Sequence, residues 1–319
     1  MIDRLSFDDL ETSAPEYDDV VLGSSTPDRF CSSSFWILPA ARHFSPRAIP
    51  RIFRRSGSYV VLGRSSTWLH PLEAMWGLCC PLVGGEPEET VELFLQVLER
   101  ESDWDAALVT GLSEASPLWR RLLPALARRY AVDRGPMTRR YVANLEDGVE
   151  GFLRRRSPGF RRNLERAARR ARRMGLTFEV ADAVRERPRE SFERILDVER
   201  RSWKGVAGTG IEDEPMRSFY GDMNHRLLGR DRRRLMFARL EGKDVAYIFG
   251  AVFADGYRGL QFSFDSRLSS LSLGNLCQIE EIRRLTELGV RGYDLGSEVR
   301  YKRRWGEKVV QTASLVIHR

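Results

Sequence analysis

Apolar positions recur along the first half of the chain with two different periods. Short apolar or alternating runs predict strands, and runs with three- and four-residue spacing predict helices. The predicted strands are residues 34–38, 58–62, 106–110 and 140–143, and the predicted helices are residues 88–101 and 117–130. This alternation indicates an α/β domain with mixed strand connections.

The second half repeats the α/β pattern with clearer periodicity. Its predicted elements are, in order, helix 160–174, strand 176–180, helices 189–203 and 214–228, strands 234–240, 245–253 and 258–265, helix 274–288, strand 292–295, a helical turn at 299–305 and strand 312–317. Turn-forming residues at 241–244 and 254–256 predict that the three middle strands are antiparallel neighbours. Residues 245–253 are apolar on both faces, which predicts a central strand covered on both sides.

These patterns divide the chain into three parts. Residues 1–28 are acidic and lack sustained periodicity, so we expect a mobile tail or a loosely docked extension. Residues 29–147 form the first predicted α/β domain, and residues 148–319 form the second.

Charge is concentrated in one place. The chain has 319 residues and a net charge of +7, with 52 Lys and Arg against 45 Asp and Glu. Only Lys204, Lys243, Lys302 and Lys308 are lysines, so arginine supplies the other cations. Ten arginines and one acid lie in residues 154–173. This segment predicts a local anion-binding surface on a near-neutral body, with a solvated helix face as the alternative.

Composition excludes several classes of chemistry. Cys31, Cys79, Cys80 and Cys277 show no paired spacing and the four histidines are scattered, so we expect neither a metal site nor a disulfide framework. No window approaches the roughly 18 apolar residues of a membrane span. The acidic start is unlike a signal peptide. We therefore expect a cytoplasmic protein.

A set of short motifs falls on the predicted elements of the second half. They are VERRSWKG at 198–205, GTGI at 208–211, FY at 219–220, SLSLG at 270–274, YDLG at 293–296 and YKRRWG at 301–306. With the order of elements, these motifs resemble the acetyltransferase domain of CelD/BcsL-type bacterial proteins. That domain belongs to the GNAT acyltransferase superfamily and is related to the Fem-type (FemABX) transferases, in which two GNAT-like domains lie in tandem.

The resemblance covers residues 150–319 well and residues 30–145 weakly. It implies an α/β fold with mixed sheets and tandem GNAT-like domains. The N-terminal domain would then be degenerate, and the C-terminal domain would be the acyltransferase.

The resemblance also implies a binding site for acyl-CoA, such as acetyl-CoA, as co-substrate. The site would lie where strands 258–265 and 291–295 separate, with the pyrophosphate at the start of the helix near Gly274. Ser272, Gly274, Asn275 and Gln261 are the resulting candidates for binding acyl-CoA. Many GNAT enzymes have several glycines in this loop, whereas this chain has one. The alternative is that Ser272 is a helix cap and Gly274 a packing residue.

Lys302 is the first catalytic candidate. In the Fem-type proteins that this chain resembles, the lysine of a [Phe/Tyr]-Lys-x-x-[Phe/Trp]-Gly motif lies at the acyl-transfer centre. A lysine there can stabilise the oxyanion that forms when an amine attacks a thioester or ester carbonyl. The alternative is a surface lysine beside Arg303 and Arg304.

Glu199, Trp203 and Lys204 end the helix that precedes a glycine-rich loop. The four-residue spacing puts Glu199 and Trp203 on one helix face. The functional interpretation makes Glu199 a general base, Trp203 a wall of the acceptor pocket and Lys204 a contact for an anionic substrate group. The alternative pairs Glu199 with an arginine and buries Trp203 in the core.

Four further residues are weaker candidates. Asp294 ends a predicted strand, where it can face the cleft as a catalytic carboxylate or cap the following turn. Asp265 lies on the same strand face as Gln261 and is a substrate-binding candidate. Tyr220 and Tyr301 are both candidates for donating a proton to a leaving thiolate.

Three functions follow from these residues. The leading hypothesis is an N-acyltransferase that moves an acyl group, such as acetyl, from acyl-CoA to a primary amine on a small molecule or saccharide. The first alternative is a Fem-type transferase that uses aminoacyl-tRNA, with the tRNA bound by the arginines between Arg161 and Arg173. The second alternative is a catalytically inactive GNAT-like module that binds an anion or a polysaccharide.

Overall fold

The computed structural model describes residues 2–73, 76–182 and 187–319. The chain divides into two compact units, Met1–Arg139 together with Val310–Arg319, and Arg140–Val309. The expected division at residue 147 is close to the first boundary. The last residues, however, return to the first unit, because the final strand completes the sheet of that unit.

The first unit contains one mixed sheet and helices. Its strands are β1 (Asp3–Leu5), β2 (Ile49–Arg55), β3 (Ser58–Ser65), β4 (Trp68–Pro71), β5 (Leu82–Gly84), β6 (Ala106–Leu112) and β7 (Ala131–Arg134). Its helices are α1 (Phe7–Thr12), α2 (Ala14–Gly23), α3 (Arg29–Ser32), α4 (Ser34–Phe44), α5 (Pro87–Arg100) and α6 (Pro117–Ala127). The sheet order is β1-β2-β3-β4-β6, followed by the last strand of the chain, which also pairs with β7.

The N-terminal residues are folded, in contrast to the mobile tail or loosely docked extension that we expected from their acidity and lack of periodicity. Ser6 caps α1 in a capping box with Asp9. Leu10, Tyr17 and Val21 are completely buried. Together with a buried alanine these residues repeat at three- and four-residue intervals, which is the helical spacing that the acidic composition obscured.

Residues 34–38 form the start of α4 and not the predicted strand. Every residue from Phe35 to Leu38 is buried. A short run that is apolar at every position has no period that separates a strand from a buried helix. The strand prediction for this segment was therefore wrong.

The second unit, which begins within β8 (Thr138–Asn144), has its own mixed sheet. Its helices are α7 (Gly148–Arg154), α8 (Pro158–Arg173), α9 (Pro188–Arg200), α10 (Trp203–Val206), α11 (Met216–Gly229) and α12 (Leu273–Glu287). Its further strands are β9 (Thr177–Val180), β10 (Arg233–Leu240), β11 (Lys243–Phe253), β12 (Gly256–Phe264) and β13 (Gly292–Ser297), and the last strand of the chain is β14 (Lys308–His318). The order is β8-β13-β12-β11-β10-β9.

The three predicted neighbours β10, β11 and β12 pair antiparallel through the two predicted turns. Successive side chains of β11 point to opposite faces of the sheet. Tyr247 contacts Glu199 of α9 on one face. Ala246 and Ile248 pack with Leu273 of α12 on the other. The prediction of a central strand covered on both sides is confirmed.

None of the helices in the described ranges is long and apolar enough to cross a membrane.

Candidate functional site

The strands β12 and β13 are parallel neighbours that separate after a short stretch. They pair at Gly256 with Gly292, Tyr257 with Tyr293 and Arg258 with Asp294, whereas β12 continues to Phe264. The pairing register of β11 and β12 shifts after Gly259, which leaves Leu260 as an extra residue in β12. Such a bulge bends a strand and redirects its side chains.

The separation opens a cavity of about 660 Å³ within the second unit. Its apolar lining residues include Ile248, Phe249, Leu260, Phe262, Phe264, Tyr293 and Leu295. Its polar lining residues include Lys204, Gln261, Ser269, Ser272, Asn275, Gln278, Tyr301 and Lys302. A mostly apolar concave site with a few converging polar groups is the usual form of a small-molecule site.

Lys302 follows the end of β13 by five residues and lines this cavity. It belongs to a 3₁₀ turn at Arg300–Arg304, and its Nζ donates a hydrogen bond to the carbonyl oxygen of Ser297 at 2.8 Å. Burial lowers the pKa of Lys302 to about 8, with a further contribution from the positive charge of Arg258. A side chain at Gly296 would start only 3.5 Å from Nζ, so glycine leaves room around the ammonium.

A second lysine enters the cavity from α10. The Nζ of Lys204 lies 3.3 Å from Oε1 of Glu199 and donates a hydrogen bond to Oε1 of Gln261 at 3.0 Å. Burial lowers the pKa of Lys204, while the charge of Glu199 acts in the opposite direction. Lys204 is therefore an ammonium held by one hydrogen bond and one ion pair.

Glu199 itself lies beneath Lys204 and is completely buried. Its other oxygen, Oε2, accepts a hydrogen bond from the hydroxyl of Tyr247 at 2.9 Å. Burial raises the pKa of Tyr247 well above its ordinary value, so this hydroxyl stays protonated and keeps donating. Glu199 is not among the residues that line the cavity, and this geometry favours a role in positioning Lys204 over direct proton transfer.

Gln261 connects this group to Tyr220. Its Nε2 donates to the hydroxyl of Tyr220 at 2.9 Å, so the amide of Gln261 bridges Lys204 and Tyr220. Gln261 lines the cavity, as expected for a residue of the donor site, whereas Tyr220 is buried behind it.

Trp203 and Tyr301 lie at the open side of the cavity. Trp203 is 59 % exposed and lines the cavity, which excludes the alternative of a core tryptophan. Tyr301 packs edge-on against Phe262 with ring centroids 5.9 Å apart. Burial raises the pKa of Tyr301 to about 12, so its hydroxyl is protonated at neutral pH.

The two aspartate candidates are held by arginines. Asp294 accepts hydrogen bonds from Arg140 and Arg258 and from the backbone N–H of Gly296. Asp265 binds Arg201 and Arg267, and the hydrogen bonds from Arg267 lower its pKa to about 2. Neither carboxylate lines the cavity. Their contacts fit structural roles better than the predicted catalytic and substrate-binding roles.

The start of α12 forms another wall of the cavity. Ser272 occupies the helix N-cap in the left-handed conformation, with φ of 56°, and its side chain makes no capping hydrogen bond. A side chain at Gly274 would start 3.0 Å from the ring of Phe262, so glycine is needed for close packing there. Asn275 is exposed at the same helix end. All three predicted residues thus line the cavity.

Gln278 is a cavity residue that the sequence analysis missed. It is only 2 % exposed, and its Oε1 has no hydrogen-bond partner among the residues that the structure describes. It follows Gly274 by four residues, so both lie on one face of α12. That spacing is the signal by which Gln278 could have been found.

The arginines of α8 form an exposed ridge. Arg162, Arg166, Arg169 and Arg173 are all exposed, and their spacing of three and four residues places them on one face. On the opposite face Ala171 is buried and Leu164 packs against the core. The apolar stripe is therefore used for packing, and the arginines face solvent.

Most of the residues that line this cavity belong to a segment of the chain that matches a known family. Residues 158–303 match the GNAT acetyltransferase domain. This match supports acyl transfer as the class of reaction, and we call Arg140–Val309 the GNAT-type unit below. No curated protein matches the chain.

Solved structures show that the whole chain has the fold of tandem GNAT proteins. FemX aligns with a TM-score of 0.69 at 10% identity, over 98% of this chain and 96% of FemX. L-PGS from Bacillus licheniformis aligns with a TM-score of 0.60 at 12% identity, over 96% of this chain and 91% of that chain. A tandem GNAT protein from the clavulanic acid biosynthesis pathway aligns with a TM-score of 0.50 at 11% identity, over 100% and 98%. The predicted fold class is confirmed.

Proposed function

We propose that this chain is an N-acyltransferase that moves an acyl group, such as acetyl, from acyl-CoA to a primary amine. The observation that carries the proposal is the cavity between the separated strands β12 and β13, with Lys302 at its edge. Beyond Arg258 the backbone of β12 no longer pairs with β13, so its polar groups are available to the amides of an extended thioester substrate.

In this proposal Lys302 stabilises the tetrahedral anion. The amine nitrogen attacks the thioester carbon, a C–N bond forms, and negative charge develops on the carbonyl oxygen. An ammonium placed beforehand in a largely apolar cavity stabilises that charge strongly, because little water competes for it.

Collapse of the anion breaks the C–S bond and releases the thiolate of CoA. Tyr301 lines the cavity and is protonated at neutral pH, so it is the better placed of the two tyrosine candidates to give the sulfur a proton. The attacking nitrogen loses its surplus proton to water, because Glu199 is buried under Lys204.

The first experiment is a calorimetric titration of the protein with acetyl-CoA and with a longer acyl-CoA, each at low and moderate salt. Saturable binding that survives salt is the expected result. Release of CoA with a panel of primary amines then measures transfer. If neither acyl-CoA binds at either salt concentration, acyl-CoA is not the donor.

A second candidate function is transfer from aminoacyl-tRNA to an amine in the same cavity. The observation that favours it is the exposed arginine ridge of α8, since phosphate backbones bind such ridges through released counterions. A mobility-shift assay with tRNA across a salt series tests this function.

Steeply salt-dependent tRNA binding supports the second candidate. Replacing Arg162, Arg166, Arg169 and Arg173 together by glutamine is expected to lower the slope of log K against log salt by about 3. No tRNA binding at low salt excludes it. A protein that binds neither acyl-CoA nor tRNA would be the inactive anion-binding module.

A further inference from the structure

The side chain of Gln278 is buried at the wall of the cavity with a polar atom unsatisfied. It is 2 % exposed and lines the cavity, and its Oε1 is shielded from water and accepts no hydrogen bond from the described residues. An unpaired buried acceptor costs free energy that an apolar side chain of the same length would not. Glu281 on the same helix also has an unpaired oxygen, but it does not line the cavity and its other oxygen binds Arg284. Glutamine at position 278 is therefore unfavourable in the free protein.

Gln278 lies at the level where β12 leaves its partner strands. α12 connects the parallel strands β12 and β13, so it runs back along β12. The start of α12 is opposite Phe262, because a side chain at Gly274 would start 3.0 Å from that ring. Four residues of helix cover about 6 Å, which equals about two residues of strand. Gln278 is therefore at about the level of Leu260, the extra residue of the bulge.

The backbone of β12 is unpaired at the same level. Within the described residues, Leu260 has no register partner in β11, and β12 pairs with β13 only near its start. Lys302 is close by, since a side chain placed at Gly296 would start 3.5 Å from its Nζ and 3.8 Å from the carbonyl oxygen of Gly259. The amide of Gln278, the unpaired backbone of β12 and the ammonium of Lys302 therefore border one stretch of the cavity.

Gln278 and the β12 backbone are complementary to an amide group. A secondary amide has an N–H donor on one side and a C=O acceptor on the other, as in an extended strand. Its N–H can donate to Oε1 of Gln278, because the last torsion of a glutamine side chain is soft and can turn the oxygen towards the cavity. Its C=O can accept from an N–H of β12. A neutral carboxamide gives an ion no advantage over such a neutral polar group.

We propose that Gln278 binds a secondary amide of the substrate, next to the carbonyl that reacts at Lys302. Oε1 of Gln278 accepts the N–H of this amide, and the amide lies extended along β12. Gln278 is thus a substrate-binding residue. The proposal rests on the proposed acyl transfer for the identity of the reacting carbonyl. The amide belongs either to the pantetheine arm of the thioester donor or to the amine acceptor.

The small number of glutamines allows a direct binding test on the full chain. Gln96, Gln261, Gln278 and Gln311 are the four glutamines of the sequence, so ¹⁵N labelling of the glutamine side-chain amides gives four pairs of N–H signals, which glutamine-to-methionine variants assign. Pantetheine represents the donor arm, and glycine N-methylamide represents an acceptor.

We expect one of these probes to shift the Gln278 signals saturably, and the probe that does so at the lower concentration identifies the source of the amide. The signals of Gln96 and Gln311, which lie in the first unit, should not move. Unmoved Gln278 signals with both probes overturn the proposal.

Gln278→Met separates a ligand-binding role from a structural one. Methionine keeps the length of the side chain and removes its polar atoms. The free variant should unfold at the same denaturant concentration as the unmodified protein or at a higher one, because Oε1 has no hydrogen bond to lose. It should bind the effective probe about tenfold more weakly in a calorimetric titration, which is the effect of one buried hydrogen bond.

Gln311→Met is the matched control, since Gln311 is exposed in the first unit. It should bind the probe like the unmodified protein. Lower stability of free Gln278→Met, or unchanged binding of the probe by it, overturns the proposal.

Matched pairs of ligands test the amide N–H itself. For the acceptor, glycine N-methylamide is compared with glycine methyl ester, and for the donor arm, S-acetyl-N-acetylcysteamine is compared with its analogue that has an ester oxygen in place of the N–H. In the pair that corresponds to the effective probe, the unmodified protein should bind the amide about tenfold more tightly than the ester. Gln278→Met should bind both members equally. Equal affinity of the unmodified protein for the amide and the ester overturns the proposal.

The proposed function can fail separately. Shifted Gln278 signals with an amide probe, without any release of CoA from acetyl-CoA, would refute the proposed function and leave the amide site standing. Acyl transfer with unmoved Gln278 signals would refute the amide site and leave the proposed function standing.

Discussion

Each unit contains a short parallel strand pair connected through a helix, and the two pairs differ in what occupies the space beside them. In the first unit β4 and β6 pair only at Trp68 with Ala106 and Leu69 with Ala107. In the GNAT-type unit β12 and β13 separate around a cavity. In the first unit the chain itself enters the space next to β6.

The entering chain is residues 78–81, which we call the plug segment. The hydroxyl of Thr110 on β6 donates to the carbonyl oxygen of Cys79 at 2.6 Å. The N–H of Val61 on β3 donates to the carbonyl oxygen of Pro81 at 2.8 Å. The plug segment therefore lies between β3 and β6. Its residues Cys79 and Cys80 are small and buried there.

The comparison teaches that a parallel strand pair of this kind can either open into a cavity or be filled by the protein's own backbone. All four lysines of the sequence lie in Arg140–Val309 and none in the first unit. In the first unit the space beside β6 is filled by the plug segment, and that unit has no lysine. In the GNAT-type unit the corresponding space is a cavity lined by two lysines. This difference supports the expectation that the N-terminal domain is degenerate.

The largest expected effect is on turnover. Lys302→Met should lower kcat about 10²- to 10³-fold, because removal of one oxyanion donor has that effect in comparable sites. Steady-state CoA release with a saturating amine measures it.

Lys243→Met is the matched control, since Lys243 is exposed at the start of β11 and is not among the residues that line the cavity. It should keep kcat within about twofold, as surface substitutions generally do. Unchanged turnover in folded Lys302→Met would show that Lys302 takes no part in the reaction. The lysine that lines the cavity would then no longer distinguish the strand pair β12 and β13 from the pair β4 and β6 in function.

The second-largest expected effect is on the free energy of unfolding, through a substitution on β6 beside the plug segment. Gly111 on β6 has φ of 65°, and a side chain there would start 2.7 Å from the backbone of Cys79 and Cys80. Gly111→Ala should lower the free energy of unfolding by about 3 kcal/mol, through backbone strain and displacement of the plug segment. Denaturant unfolding followed by tryptophan fluorescence measures this loss.

Gly289 provides the comparison for that measurement. Its φ is 74°, but nothing lies within 4 Å of a side chain placed there. Gly289→Ala should therefore cost only about 1 kcal/mol, from backbone strain alone. If both variants lose the same free energy of unfolding, displacement of the plug segment costs little.

The smallest expected effect is the pH dependence that Lys302 confers. Its pKa of about 8 means that the ammonium is present below that pH and is lost above it. kcat should therefore fall as pH rises through about 8, by up to about tenfold per pH unit. In Lys302→Arg the fall should move to higher pH, since a guanidinium stays protonated.

Stability should respond to pH in the opposite direction. The folded pKa of Lys302 lies below its ordinary value of 10.5, so the charged lysine destabilises the fold at pH below about 8. This cost disappears as pH rises from about 8 towards 10.5. Unfolding of the wild type and Lys302→Met at pH 7 and pH 10 checks the sign. A wild type that loses stability relative to Lys302→Met over this range would contradict it.

The sequence predicted the fold of the GNAT-type unit closely. The predicted helix 274–288 is found at Leu273–Glu287, and the predicted strand 245–253 is found within Lys243–Phe253. These segments have clear periods and flanking turn residues. The helix at residues 34–38 has no period, and the return of Val310–Arg319 to the first unit depends on long-range pairing that no local pattern contains.

The site was predicted less completely. Lys302, Lys204 and Gln261 were each predicted as site residues, and all three line the cavity, because their motifs lie at the ends of elements that meet there. The predicted roles of Asp265 and Asp294 lost support, because a sequence with so many arginines does not indicate which one reaches a given carboxylate. Gln278 was missed because the helix face that starts at Gly274 was not followed to the next turn, where Gln278 lies.

The path of the last strand also affects the order of events during synthesis. Leu315 and Ile317 of β14 are completely buried in the core of the first unit, where β14 pairs with β6. On the ribosome the first unit therefore emerges early with one edge of β6 uncovered, and its sheet cannot be completed until β14 has been translated. The contiguous GNAT-type unit emerges later but is complete sooner, so the half of the protein that is made first is the half that finishes folding last.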